Sequence, residues 1–144
     1  MRRYLVVANQ TLGGEHLAEK VRACLAAGPS SFHVVVPATQ PRDHAVWTEG
    51  EARAIAQQRL ERALDRFKEM GAEARGEVGD EQPLEAIADA MRDQQFDEVI
   101  LSTLTPGVSR WLKQDLPHRA ERGCGVPVTH IIGEPESAED ATKT

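Results

Sequence analysis

The chain has 144 residues, 28% of them charged, with 17 Lys and Arg against 23 Asp and Glu for a formal net charge of -6 at pH 7. That length suits one domain with a core of its own, and an acidic balance without a basic stripe excludes a nucleic-acid footprint, because phosphate binding needs cations that replace counterions. No apolar run is long enough to cross a bilayer and the opening MRRYLVVANQ turns polar too soon for a secretory leader, so the expected setting is the cytoplasm, with neither nucleic acid nor membrane as partner.

Tyr4 to Ala8 is an apolar run ended by Asn9, Gln10 and Thr11, which reads as a buried strand. Gly13 and Gly14 precede a helical pattern in which Leu17, Val21, Cys24 and Leu25 form one apolar face, placing Cys24 in the core. Gly28 and Pro29 stop that helix, and Phe32 to Val36 is a second strand closed by Pro37. The stretch from Pro37 to about Thr48, with His44 and Trp47, is long enough to be a lid or binding loop. A long helix follows, roughly Glu49 to Met70, with Ala56, Leu60, Ala63, Leu64 and Phe67 on one face, while its Arg and Glu residues read as a solvated face of i,i+4 pairs.

Ala72 to Val78 alternates small apolar with charged residues, the pattern of a half-exposed edge strand. Pro83 then opens a helix carrying Leu84, Ile87, Ala88 and Met91. Val99 to Leu101 reads as a central strand, and Ser102, Thr103, Thr105, Pro106 and Gly107 form a loop that Ser109 and Arg110 convert into a helix, expected as one element from about Val108 to Arg122. Such a turn lifts backbone N–H groups and hydroxyls to a helix N-terminus, where a phosphate is favoured. The bland alternative is that the turn, like most of its kind, holds nothing. Val128 to Ile132 is the last strand, which sets the domain at residues 1–133, and the acidic tail of residues 134–144 reads as disordered.

The alternation of strands and helices implies an α/β fold, a doubly wound parallel sheet of five strands with helices on both faces. YLVVAN, FHVVVP, EVGDEQPLEAI, DEVILSTLTPGVSR and GVPVTHI, in this order and spacing, resemble the universal stress protein (UspA-like) family over nearly the whole chain, and most of all its compact single-domain actinobacterial-type members. The resemblance implies a strand order of 3-2-1-4-5, with a ligand crevice where the order reverses between the first and fourth strands. It also implies an adenine nucleotide, ATP or another, as the candidate cofactor. The positions that would meet it are Asn9, Gln10, Thr11, Val36, Ser102, Thr103, Thr105, Gly107, Ser109 and Arg110. Nucleotide-binding members carry G-x-x-G, nine residues, then G-[S/T] after the fourth strand. Here Ser102 and Thr105 replace the two glycines, Asp115 falls near the later pair, and Asn9 stands for the usual acidic residue. Arg110 is then the one formal positive charge expected in the crevice.

Catalysis has little support. His16, His33, His44, His118 and His130 are scattered and no serine or cysteine sits in a nucleophile elbow. Cys24 and Cys124 have no neighbour at metal-ligand spacing, so neither a metal site nor a disulfide framework is expected. Two readings stay open, a nucleotide- or anion-binding regulatory module and a ligand-free dimeric interaction protein, with a weak phosphoanhydride hydrolase as an outside third. The resemblance implies a homodimer that pairs through the apolar edge Val126 to Ile132.

Overall fold

The computed structural model describes residues 1–39, 49–106 and 109–133. The expected lid around His44 and Trp47, Gly107 and the acidic tail lie outside the described residues. The elements run β1 (Arg2–Val7), α1 (Glu15–Ala27), β2 (Ser30–Pro37), α2 (Glu49–Glu69), β3 (Glu73–Gly79), α3 (Pro83–Asp93), β4 (Glu98–Thr103), α4 (Arg110–Lys113), α5 (Leu116–Cys124) and β5 (Val128–Ile132). All strand pairs are parallel and the sheet order is β3-β2-β1-β4-β5. The doubly wound sheet expected from the alternation is therefore present in the implied order, with β3 at one edge as its half-polar pattern predicts.

Strand pleating divides the core into two layers. Tyr4, Val6 and Ala8 join Phe32, Val34 and Val36 against Leu17 and Val21 of α1 and Ala56, Leu60 and Phe67 of α2. The alternate residues Leu5, Val7, Val35, Val99 and Leu101 face Ala86, Ile87 and Ala90 of α3 and Leu116 and Ala120 of α5. This two-sided burial is why β1, β2 and β4 read as continuous apolar runs. Fully burying a side chain such as Phe67 contributes about 1.5–3 kcal/mol. Tyr4 stacks on Phe32 at 5.2 Å between ring centroids, and Phe32 meets Phe67 edge-on at 6.1 Å, tying β1, β2 and α2 together.

One expected element is divided. The helix anticipated from about Val108 to Arg122 is two, α4 and α5, separated by Asp115 in the left-handed region at φ 56° and ψ 39°. Pro117 explains the break: it has no N–H to offer the Lys113 carbonyl, and its ring would collide there in a continuous helix, but both defects are harmless in the first turn of a new one. The Asp115 carboxylate, expected near a phosphate position, instead lies 2.8 Å from Nδ1 of exposed His118.

Candidate functional site

Asn9, Gln10, Thr11, Ser102 and Thr103 are all less than 9% exposed and sit together at the carboxyl ends of β1 and β4, where the strand order reverses. This is the place at which open α/β sheets hold ligands. Polar groups so buried must find partners, and here the partners come from across the fold. Thr11 Oγ1 and Ser102 Oγ are 2.6 Å apart, one hydroxyl donating to the other across the seam between β1 and β4. Gly133 closes over this pair, since a Cβ there would lie 3.4 Å from Thr11 Cβ and 3.6 Å from Ser102 Oγ, and its N–H donates to the Thr103 carbonyl at 2.8 Å.

On the β1 side, the Asn9 amide donates from Nδ2 to the Pro37 carbonyl at 2.8 Å and accepts at Oδ1 from Arg59 Nη1 at 2.6 Å. Arg59 is 5% exposed although it belongs to a helix whose arginines read as solvated. The expectation that Arg110 is the one positive charge of the crevice is thus corrected: Arg59 reaches Asn9. Its place three residues after Ala56 and four before Ala63, both buried, puts it on the inward margin of α2, a signal present in the sequence. A second arginine of α2, Arg66, donates to the Gly13 carbonyl and pairs with Glu15 at 3.2 Å, fixing the loop between β1 and α1.

On the β4 side, Thr103 Oγ1 donates to the Leu104 carbonyl at 2.9 Å and lies 2.8 Å from His130 Nε2 on β5. A hydroxyl has one proton, so with that proton on the carbonyl, Nε2 carries the hydrogen of the neutral imidazole. Burial holds the His130 imidazole below its ordinary value, which keeps it in that neutral form. His130 belongs to the site through Thr103, a role its isolated position in the sequence does not reveal.

The loop after β4 is exposed at Thr105 and ends at Ser109, which caps α4 by accepting from the Leu112 N–H at 3.2 Å. Arg110 is the first residue of α4 and half-buried. Trp111 is buried and its indole N–H reaches Thr39 Oγ1 at 3.4 Å, while Thr39 donates to the Glu81 carbonyl at 3.0 Å, so α4 is tied to the ends of β2 and β3. Val36 is fully buried in the core against α1 and α2 and offers the crevice no side-chain surface. Of the expected site residues, the structure joins Thr11 and Ser102 by contact, places Asn9 and Thr103 beside them at the ends of β1 and β4, and places Gln10, Thr105 and Ser109 on the adjoining loops and Arg110 at the start of α4. Among the described residues, no group of three or more His, Cys, Asp or Glu is arranged to hold a metal ion.

The same architecture is found in solved structures. One is a universal stress protein family protein from Arabidopsis thaliana with AMP bound, 12% identical, covering 100% of both chains with a TM-score of 0.63. Another is the universal stress protein from Archaeoglobus fulgidus in complex with dAMP, 13% identical, covering 91% of this chain and 98% of that one with a TM-score of 0.58. The chain has the universal stress protein fold. The fold is not tied to one activity, because 4-carboxy-2-hydroxymuconate hydratase from Pseudomonas putida also aligns, at 21% identity and a TM-score of 0.50, over 94% of this chain and 63% of its own length. No family profile matches the sequence. No curated protein matches it either. No helix among the described residues is long and apolar enough to cross a membrane.

Proposed function

We propose that the chain is a member of the universal stress protein family and acts as a cytoplasmic binding and regulatory module whose crevice between β1 and β4 takes an adenine nucleotide or another small anion. The observation that carries this reading is the concentration of buried polar side chains at the strand-order reversal, with the Arg59 guanidinium on Asn9 and Arg110 on the adjoining helix. Burying that many polar groups costs stability that an apolar filling would not, and a polar floor at a topological switch point is what a ligand site requires. The similar structures holding AMP and dAMP support the ligand class. Calorimetric titration with AMP and ATP tests it. Arg110→Ala should weaken binding by roughly ten-fold, because a charge-assisted hydrogen bond contributes about 1.5–3 kcal/mol and 1.4 kcal/mol is one decade. No heat from either nucleotide would remove the ligand from the account.

A ligand-free dimeric interaction protein is the second reading, and one observation favours it. The side chains of Asn9, Thr11, Ser102, Thr103 and Ser109 already have hydrogen-bond partners within the chain, so a ligand has to dock above them or displace those bonds.

A further inference from the structure

At the opposite end of the strands from the crevice, a cavity of about 270 Å³ opens over the amino-terminal halves of β1, β2 and β3. Its origin is the length and position of α3. Ala74 of β3 and Phe32 of β2 point to the α1 and α2 layer, so Glu73, Arg75 and Glu77, like His33, stand on the α3 side. Gly79 lets α3 approach the far ends of these strands, where a Cβ would come within 2.8 Å of Ala86 Cβ and 3.0 Å of Val35 Cγ1. Among the described residues, none that lines the near ends belongs to a helix, and Gln94 and Phe96 form a side wall instead.

Strand register then assembles the lining. Arg3 is opposite Ser31, which is opposite Glu73, and in the next row Leu5, His33 and Arg75 are aligned. The Arg3 guanidinium is held in the wall by donating to Gln94 Oε1 at 2.9 Å, with its centre 6.0 Å from the Phe96 ring centroid. The His33 ring lies 5.9 Å from Phe96 and its Nε2 is 3.3 Å from Glu77 Oε1. Arg75 has no hydrogen-bond or ion-pair partner among the described residues, and it faces the cavity that His33 floors. Of the two guanidiniums in the lining, Arg3 is held by Gln94, which leaves Arg75 as the one an anion can meet.

We propose that this cavity is a second binding site, for a small planar aromatic monoanion whose ring lies against Phe96 and His33 and whose charged group meets Arg75. The volume favours a single ring over a nucleotide, since it falls just below the roughly 300–1,000 Å³ typical of small-molecule pockets. The Arg75 guanidinium and the aromatic wall favour a ring carboxylate over inorganic phosphate, which would gain nothing from Phe96. The site lies at the other end of the sheet from the nucleotide crevice and does not rest on that reading.

The test is saturation-transfer NMR on the full chain with benzoate as probe and benzyl alcohol as its uncharged counterpart. Benzoate should give ring-proton transfer that excess AMP leaves in place, and benzyl alcohol much less. Arg75 is exposed and unpartnered, so its substitution leaves the fold intact, which an unchanged melting curve verifies. Arg75→Gln should weaken benzoate by about three-fold or more, as expected for a partly exposed charge pair, and Arg75→Glu should abolish the signal. No transfer from benzoate, equal transfer from benzyl alcohol, or binding unchanged in Arg75→Glu overturns the proposal; so does displacement by AMP.

Discussion

Thr11 and Ser102 illustrate how the crevice floor is stabilised at the level of single side chains. Removing either hydroxyl leaves the other buried without its partner, so Thr11→Val and Ser102→Ala should each cost about 1–3 kcal/mol. The double variant should cost clearly less than the sum, because both ends of one bond go together, and chemical denaturation of all four proteins measures the difference. Two titrating groups give a second prediction. Burial lowers the His130 pKa, so the unfolded chain binds that proton more readily and stability should fall as pH drops below about 6.5; His130→Asn should flatten this slope. Burial alone would raise the Glu98 carboxyl, but the Thr129 hydroxyl at 2.7 Å, Lys20 at 3.2 Å and Arg2 at 3.3 Å outweigh it and hold it below its ordinary value. Its contribution is present at neutral pH and lost in a separate, lower window as pH falls below about 4.5, and Glu98→Gln should remove that lower step from a melting-temperature profile. Turn chemistry is local, so the sequence places Ser109 at the opening of the helix after β4, whereas Asn9 and Ser102 are crevice positions only through the family resemblance. The sequence does not reveal Arg59 or His130, whose roles depend on Asn9 and Thr103, 50 and 27 residues away.

Between elements, the tightest approach is at Gly76 of β3. A Cβ there would collide with the Val34 carbonyl oxygen of β2 and with Leu60 Cδ1 of α2, so α2 can lie close to the sheet only over glycine. Gly76→Ala should destabilise the protein by about 1–3 kcal/mol, the usual cost of overpacking, and Leu60→Ala in the same chain should not restore it, because the Val34 backbone carbonyl still blocks the Cβ and truncating a core leucine itself costs about 2–5 kcal/mol. Equilibrium unfolding in urea checks both. The elements themselves were legible because β1, β2 and β4 are apolar runs of strand length and α1 to α3 carry apolar faces at helical spacing. The sequence also carries the division of α4 from α5 in Pro117, against the single helix expected from about Val108 to Arg122, because a missing N–H and a steric clash outweigh helix propensity. Cys124 is half-buried at the end of α5 and burial raises its pKa, so its labelling should be slower than that of an open thiol.

At the scale of the whole molecule, β5 is an edge strand whose Ile132 is 41% exposed, and such an edge invites pairing. A homodimer formed through Val126 to Ile132 is the expected assembly; light scattering should show it at high micromolar concentration, and Ile132→Lys should shift the population to monomer. His130 sits on that strand and touches Thr103 at the carboxyl end of β4. Whether the reversal of strand order at β1 and β4 forms a nucleotide crevice, as proposed, is tested most directly by following backbone amide resonances during titration with AMP. Progressive shifts are expected at residues 9–12, 102–105 and 109–111, with little change at Arg3, His33 and Arg75. Saturating AMP that leaves residues 9–12 and 102–105 unmoved would contradict the proposal.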